Sequence, residues 1–331
     1  MGGDHAPSAV ILGSVDALRE RPGAFTLVLV GQEDAIRREL ASAKALDMLG
    51  DRLTIRHAAE VIDMHDSPTA AVKTKKDSSI AVGLTMHKNG EVDAFLSAGN
   101  TGAMLSASTL ILGRLKNVGR PTIGSIVPTA KSPAFLVDAG ANVDCKPRHL
   151  LEFGIMGSIY MSAMQGIEKP RIGLLNIGEE DSKGNETAIE AHKLLSAHAP
   201  NFIGNVEGRD VLKGDVDVIV CDGFVGNILL KFGESIPAFL KARFVKLAAQ
   251  SIANKLIALV ARNSLRSVMK ELDYQEHGGV PVLGVRGVSI IGHGRSTPKA
   301  IKNMIFRAEE MARKKVFATI EQSLLRTVDN A

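Results

Sequence analysis

Short β-branched runs alternate with helical periodicity along most of this chain, and that rhythm restricts its fold more than any other feature. Thr26–Gly31, Leu53–His57, Val92–Ser97, Ala134–Asp138, Arg171–Asn176, Asn201–Val206, Asp217–Asp222 and Val288–Ile291 read as strands. Helical patterns follow several of them, at Glu33–Ala45, Thr101–Leu115, Pro147–Met164 and Glu186–His198. Strands separated by helices cannot pair as hairpins, so the rhythm predicts an α/β fold in three αβα layers around a mostly parallel sheet. Ligands of such sheets bind beyond the carboxyl ends of the strands, which makes strand-end residues the first candidates for function.

The 331 residues suit one α/β catalytic domain or two joined lobes. With 45% hydrophobic and 23% charged residues the chain can bury a real core, so disorder is not suggested. No apolar run reaches membrane-spanning length, and Met1-Gly2-Gly3-Asp4-His5 lacks the basic and apolar regions of a signal peptide. A cytosolic protein is expected. Cys145 and Cys221 lie far apart with no CxxC spacing, so they read as reduced bystanders. A net charge of +4, without Trp and with two Tyr, gives no support for nucleic-acid binding.

Polar turns at strand ends carry the chemistry. In Phe95-Leu96-Ser97-Ala98-Gly99-Asn100-Thr101-Gly102-Ala103 a strand runs through a glycine-rich turn into a helix, where free N–H groups can hold an anion. Ser97, Gly99, Asn100, Thr101 and Gly102 are its candidate binding residues; the plainer reading is a turn using Gly and Asn for backbone reasons. In Asn176-Ile177-Gly178-Glu179-Glu180-Asp181-Ser182-Lys183-Gly184-Asn185, Lys183 can balance phosphate charge, and Asn176 or Asn185 can donate to an oxyanion. Asn185 reads equally well as a helix cap. Asp222-Gly223-Phe224-Val225-Gly226-Asn227 repeats the pattern, with Lys231 one turn further on; Asn142 ends the turn Asp138-Ala139-Gly140-Ala141-Asn142. Asp4 and His5 stand in the opening turn, His5 as a possible acid or base. The Ser97–Gly102 turn and the Lys183–Asn185 loop are expected to converge on one anion site. Lys73-Thr74-Lys75-Lys76-Asp77-Ser78-Ser79 reads as a solvated charge run that can assist an anion.

The absences narrow the reaction. Neither GxGxxG nor a lysine-bearing P-loop is present, nor a GxSxG elbow, HExxH or clustered metal-binding carboxylates. Hydrolase and metal-dependent dehydrogenase readings therefore lack anchors, and no metal site is expected. A chain that binds phosphate beside a thioester, orients it and stabilises a negative tetrahedral intermediate needs none of these motifs.

Taken together, Met1-Gly2-Gly3-Asp4-His5-Ala6-Pro7, Ser97–Ala103, Asp138–Asp144, Lys183-Gly184-Asn185-Glu186 and Asp222–Asn227 resemble the bacterial phosphate acyltransferase family, PlsX, in order over almost the whole chain. The resemblance implies conversion of acyl-[acyl-carrier-protein] and inorganic phosphate into acyl phosphate and free carrier protein, ahead of glycerol-3-phosphate acylation in phospholipid synthesis. It also implies a homodimer, no cofactor, and a Rossmann-like fold similar to isopropylmalate dehydrogenases and phosphate acetyltransferases. Asp4, His5, Asn176, Lys183, Asn185 and Asp222 are the catalytic candidates. Ser97, Gly99, Asn100, Thr101, Gly102, Asn142, Gly223, Asn227 and Lys231 are the substrate and phosphate candidates. Family members usually carry a short strand before the Met-Gly-Gly-Asp-His segment, so a strand preceding Met1 is expected, through either a late start or a truncation. Competing functions are an acyl-coenzyme-A-dependent phosphate acyltransferase, a dehydrogenase of similar fold and a non-catalytic membrane-surface scaffold.

After Gly226 helical patterning runs almost unbroken to Asp273, too long for one ordinary helix, and predicts a helical hairpin over residues 235–273 turning at Arg262-Asn263-Ser264. Cations without intervening acids between Lys241 and Lys270, with apolar Leu256, Ile257, Leu259 and Val260, predict peripheral contact of the hairpin with an anionic membrane surface. Dimer packing is the alternative use of the same helices. The downstream glycerol-3-phosphate acyltransferase is a further candidate partner at that surface. A final helix is expected from Thr297 to Leu325.

Overall fold

The computed structural model describes residues 1–260, 274–276 and 278–328. In chain order come α1 (Ser8–Glu20), β1 (Leu27–Gly31), α2 (Glu33–Ser42), β2 (Leu53–His57), α3 (Pro68–Thr74), α4 (Ser79–Lys88), β3 (Ala94–Ser97) and α5 (Thr101–Ala107). Next are β4 (Thr122–Val127), β5 (Ala134–Val137), α6 (Pro147–Gln165), β6 (Ile172–Asn176), α7 (Glu186–His198), β7 (Phe202–Glu207), β8 (Val218–Val220) and α8 (Gly223–Ala248). Residues 252–260 are helical (α9), and β9 (Val280–Leu283), β10 (Val288–Ile291), α10 (Pro298–Arg313) and α11 (Val316–Val328) complete the order.

The main sheet has eight strands in the order β3-β10-β9-β4-β5-β8-β6-β7, while β1 and β2 form a separate parallel pair. The pairs β3/β10, β5/β8, β8/β6 and β6/β7 are parallel. The central pairs β10/β9, β9/β4 and β4/β5 are antiparallel. Two of these strands are illegible from pattern: β4 holds Gly124 and Ser125 among its apolar residues, and β9 starts directly after Gly278-Gly279 and contains Pro281. Glycine and proline weaken a strand signal, so both segments resemble connections. Their insertion has a large consequence, because three successive reversals point β3 and β10 one way and β5, β8, β6 and β7 the other.

α6 covers the β5/β8 side with Phe153, Met156, Tyr160 and Met161 fully buried. Tyr160 stacks on Phe135 at 4.4 Å between ring centroids, an arrangement contributing about 0.5–1.5 kcal/mol beyond burial itself. A Cβ at Gly124 would lie 1.9 Å from the Phe135 ring, so glycine in β4 is what admits that ring. α10 lies beside α6, with Arg307 donating to Tyr160 Oη at 3.3 Å, and α1 packs along α10; a cavity of about 880 Å³ runs between the edges of β1 and β3, lined by Leu27–Val30, Ala94–Ser97, Gly83 and Ile301.

The helical tail differs from expectation. α8 ends at Ala248, so the first interruption falls at 249–251; the turn expected at Arg262-Asn263-Ser264 lies outside the described residues. Only Gly223 and Gly226 of α8 are buried, and Phe232, Phe239, Val245 and Leu247 stand exposed. The helix expected from Thr297 to Leu325 is two helices, because Lys315 adopts a left-handed φ of 51° and turns α11 back against α6.

Candidate active site

The reversals divide the sequence-predicted site residues between opposite ends of the sheet. Asp4, His5, Ser97, Gly99, Asn100, Thr101 and Gly102 gather where β3 and β10 end. Asp4 N–H donates to the Gly294 carbonyl at 2.9 Å, and Gly292 N–H donates to the Ser97 carbonyl at 2.8 Å. Asn142, Asn176, Lys183, Asn185, Asp222, Gly223, Asn227 and Lys231 belong to the other end, where β5, β8 and β6 finish. Six strand spacings of ~4.8 Å, about 29 Å, separate β3 from β6. Asn100 and Lys183 therefore do not share one anion site in this chain, and the expected convergence of their turns is corrected.

At the β3 end Asn100 is 6% exposed and wholly engaged. Its Oδ1 caps α5 by accepting from Ala103 N–H at 3.0 Å. Its Nδ2 donates to the carbonyls of Asp63, Met64 and Asp66 at 3.1, 3.3 and 3.1 Å. It clamps the loop 63–66 across the turn, so its amide serves structure while exposed Thr101, His65 and His5 remain at the surface. Lys75 ties the same loop by donating to the Val61 carbonyl at 2.8 Å and to Asp66 Oδ2 at 2.5 Å. That hydrogen bond holds the Asp66 carboxyl below its ordinary value. The charge run at Lys73–Ser79 is thus partly a structural tether, and Asp77 joins it by accepting from Ala59 N–H.

At the opposite end two turns lock together. Asp138 is fully buried, and its carboxylate accepts from the N–H groups of Gly140, Ala141 and Asn142 and from Asn142 Nδ2 at 2.7–2.9 Å. Burial pushes its carboxyl upward and the four donors pull it back. Asn142 Nδ2 also reaches the Pro121 carbonyl at 2.9 Å, and the Asn142 carbonyl accepts from Gly223 N–H at 2.7 Å. Asp222 caps α8 by accepting from Val225 N–H at 2.8 Å. The first turn of α8 therefore sits directly on the β5 turn, with Asn227 exposed against Gly140, whose Cβ position is 3.2 Å from Asn227 Cβ. The N–H groups of the turn are spent on Asp138, and those of Gly223, Val225 and Gly226 on Asn142 and Asp222, so what this end offers an anion is the helix dipole and the side chain of Asn227.

Along the same end Asn176 Nδ2 donates to the Lys183 carbonyl at 2.9 Å and folds the 177–184 loop back on β6. Asn185 caps α7 by accepting from Ala188 N–H at 2.9 Å. Lys183 is exposed, 3.9 Å from Glu180, and Lys231 pairs with Glu234 at 2.7 Å. Sequence reasoning passed over Asp138 as a site residue, though it quoted its turn; the signal was an acid followed by Gly140 and Asn142. Burial pushes the half-buried Cys145 thiol up to about 12, and that of fully buried Cys221 well above its usual value.

Comparison with known proteins decides the family. Residues 1–319 match the model of a fatty acid synthesis protein family. A phosphate acyltransferase of Acetivibrio thermocellus is 46% identical, covering 98% of this chain and 95% of its own. That of Chlorobaculum parvum is 47% identical over 96% and 94%. The chain belongs to the phosphate acyltransferase family. It is an acyltransferase. Its fold is also that of a phosphotransacetylase from Streptococcus pyogenes, with a TM-score of 0.65 and 15% identity over 93% of this chain and 92% of the other. This chain, a member of the phosphate acyltransferase family, thus shares its fold with a phosphotransacetylase at low identity. Among the described residues of this one, no helix is long and apolar enough to cross a membrane.

Proposed function

We propose that this acyltransferase moves a fatty acyl group from acyl-[acyl-carrier-protein] to inorganic phosphate, yielding acyl phosphate for phospholipid synthesis. The observation that carries this reading is the seating of the α8 start on the Asp138–Asn142 turn, which sets the positive end of the helix dipole and the exposed Asn227 at one point. A phosphate oxygen attacks the thioester carbonyl carbon, and the C–O bond forms. The tetrahedral intermediate collapses as the C–S bond breaks, and the proton of hydrogen phosphate passes to the leaving thiolate. Electrons balance without an oxidant or reductant. Asn142 and Asp138 hold the turn, while Asn227 and the α8 N-terminus attract the anionic phosphate. Lys183, exposed at the neighbouring strand end beside Glu180, is the basic side chain that would meet the phosphate directly.

The reading includes a homodimer and contact with an anionic membrane surface, where the product's acyl chain is delivered to a glycerol-3-phosphate acyltransferase. Exposed apolar residues along α8 and α9 support both. Incubation with acyl-carrier-protein thioester and phosphate, followed by hydroxylamine trapping, tests the reaction. Phosphate-dependent hydroxamate is the expected outcome; thioester cleavage that ignores phosphate overturns it.

A further inference from the structure

Six cations surround the end of the sheet at which β5 and β8 finish. Arg114, Lys116 and Arg120 lie on the connection into β4; Lys146 and Arg148 begin α6; Arg286 follows β9. All six are exposed.

Their side chains and backbones converge. Arg120 Nη1 donates to the Asp144 carbonyl at 2.9 Å, which joins the β4 entry to the loop after Asn142. Lys146 N–H donates to Nδ1 of the buried His149 at 3.1 Å, and burial first, then the positive charges of Arg120, Lys146 and Arg148, press that imidazole toward its neutral form. Gly119, beside Arg120, stands against that ring and against Glu152. Arg286 N–H donates to the Gly113 carbonyl at 3.0 Å, and Arg114 pairs with Val285 across an isolated bridge. Of the acids nearby, Glu152 is 1% exposed and already bound by Gly119 N–H at 2.8 Å and Arg148 at 3.1 Å. Asp222 spends its carboxylate on the α8 cap, and Asp144 remains. The surface is strongly positive and adjoins the candidate active site. α8, which carries the other acid-poor cations, leads away from that site for 26 residues, about 39 Å at ~1.5 Å each.

We propose that the face formed by Lys116, Arg120 and Lys146 docks a strongly acidic protein, the carrier that presents the acyl thioester to the neighbouring turns. This rests on the phosphate acyltransfer reading. An acidic partner gains most here from steering, since exposed charges raise encounter rates and set salt dependence more than they deepen affinity. Arg148 is paired with Glu152, whereas Arg114 and Arg120 donate to backbone carbonyls and keep their positive charge.

The test is a Lys116→Glu, Arg120→Glu, Lys146→Glu variant assayed with two donors, the acyl carrier protein thioester and an acyl-pantetheine thioester that has no protein. KM for the carrier thioester should rise about tenfold or more, equivalent to ~1.4 kcal/mol. Its increase with salt should flatten, while turnover of acyl-pantetheine stays within about twofold, because rim charges act on encounter and not on chemistry. An unchanged carrier KM with its salt dependence retained overturns the docking face. Equal loss with both donors overturns it too, by showing a structural effect. Loss of sedimentation with anionic vesicles at unchanged carrier KM assigns the patch to lipid and refutes the proposal. If the unaltered chain transfers no acyl group from either donor to phosphate, the reaction is wrong, and fluorescence anisotropy of labelled carrier protein then judges the docking face alone: retained binding by the parent chain with loss in the variant supports it, and no binding by the parent overturns it.

Discussion

Gly226 in the first turn of α8 faces the main-chain carbonyl of Asp138, and a Cβ built on that glycine would lie 1.8 Å from the oxygen. The contact partner is backbone on a strand end and cannot swing away. The long helix and the β5 turn are therefore held together by the absence of one methyl group.

Gly226→Ala is expected to unseat the first turn of α8 and destabilise the protein by about 1–3 kcal/mol, the usual range for overpacking. Acyl transfer should fall further than stability does, because Asn227 moves with the turn. Urea denaturation and hydroxamate trapping on the same preparation check this; an alanine variant with unchanged midpoint and turnover contradicts the packing described.

Asn100→Ala removes one helix cap and the donor to three carbonyls of the 63–66 loop at once. Losses of about 1–3 kcal/mol are expected from a cap worth ~1 kcal/mol and part-buried carbonyls left without a partner. Hydrogen exchange should accelerate throughout 61–67, and Asn100→Asp should be no better, since a carboxylate cannot donate to carbonyls. Loop protection equal to that of the parent would show that Lys75 alone suffices.

The strand-end turns were legible because their chemistry is local: Asn100, Asn185 and Asp222 each sit one residue before a helix and cap it, as their side chains favour. β2 and α7 fall where periodicity puts them, with Leu53 and His57 or Glu186 and His198 as their limits. What could not be read was direction. Whether β3 and β6 point the same way depends on β4 and β9, whose Gly124 and Pro281 serve tertiary packing and depress the strand signal. Periodicity reports which residues face the core; it does not report how many reversals lie between two strands. The mutual grip of Asp138 and Gly223 through Asn142 is likewise a long-range pairing with only its separate halves visible in sequence.

Neither cysteine is expected to serve as a nucleophile. Burial pushes Cys145 up to about 12, and Cys221 is raised still more clearly, so both remain neutral thiols throughout the working pH range, which lies below their raised values. A Cys145→Ala, Cys221→Ala variant should keep acyl transfer within about twofold, allowing a small packing cost at buried Cys221. Direct attack by phosphate leaves no acyl-enzyme, so mass spectrometry after a single turnover should find the chain unmodified. An acyl-cysteine adduct would require a different mechanism.

The apolar side chains of α9 make the membrane prediction concrete. Leu256, Ile257, Leu259 and Val260 are 60, 66, 64 and 85% exposed, so none of them is spent on the core of this chain. Leu256 and Val260 are four residues apart and share one helical face, while Lys255 precedes the group and Lys241, Arg243 and Lys246 lie on α8 before it. Apolar side chains beside unneutralised cations favour an anionic interface, with each cation near the surface contributing about 1 kcal/mol. A product with a long acyl chain gains from release at such an interface, because water disfavours the chain. Leu256→Glu, Val260→Glu is expected to abolish sedimentation with anionic vesicles while leaving turnover of carrier thioester in solution unchanged. The same variant examined by light scattering separates the competing use of these helices: loss of dimer with vesicle binding intact would place the apolar face between two copies of the chain, and retained dimer with lost sedimentation would place it at the lipid.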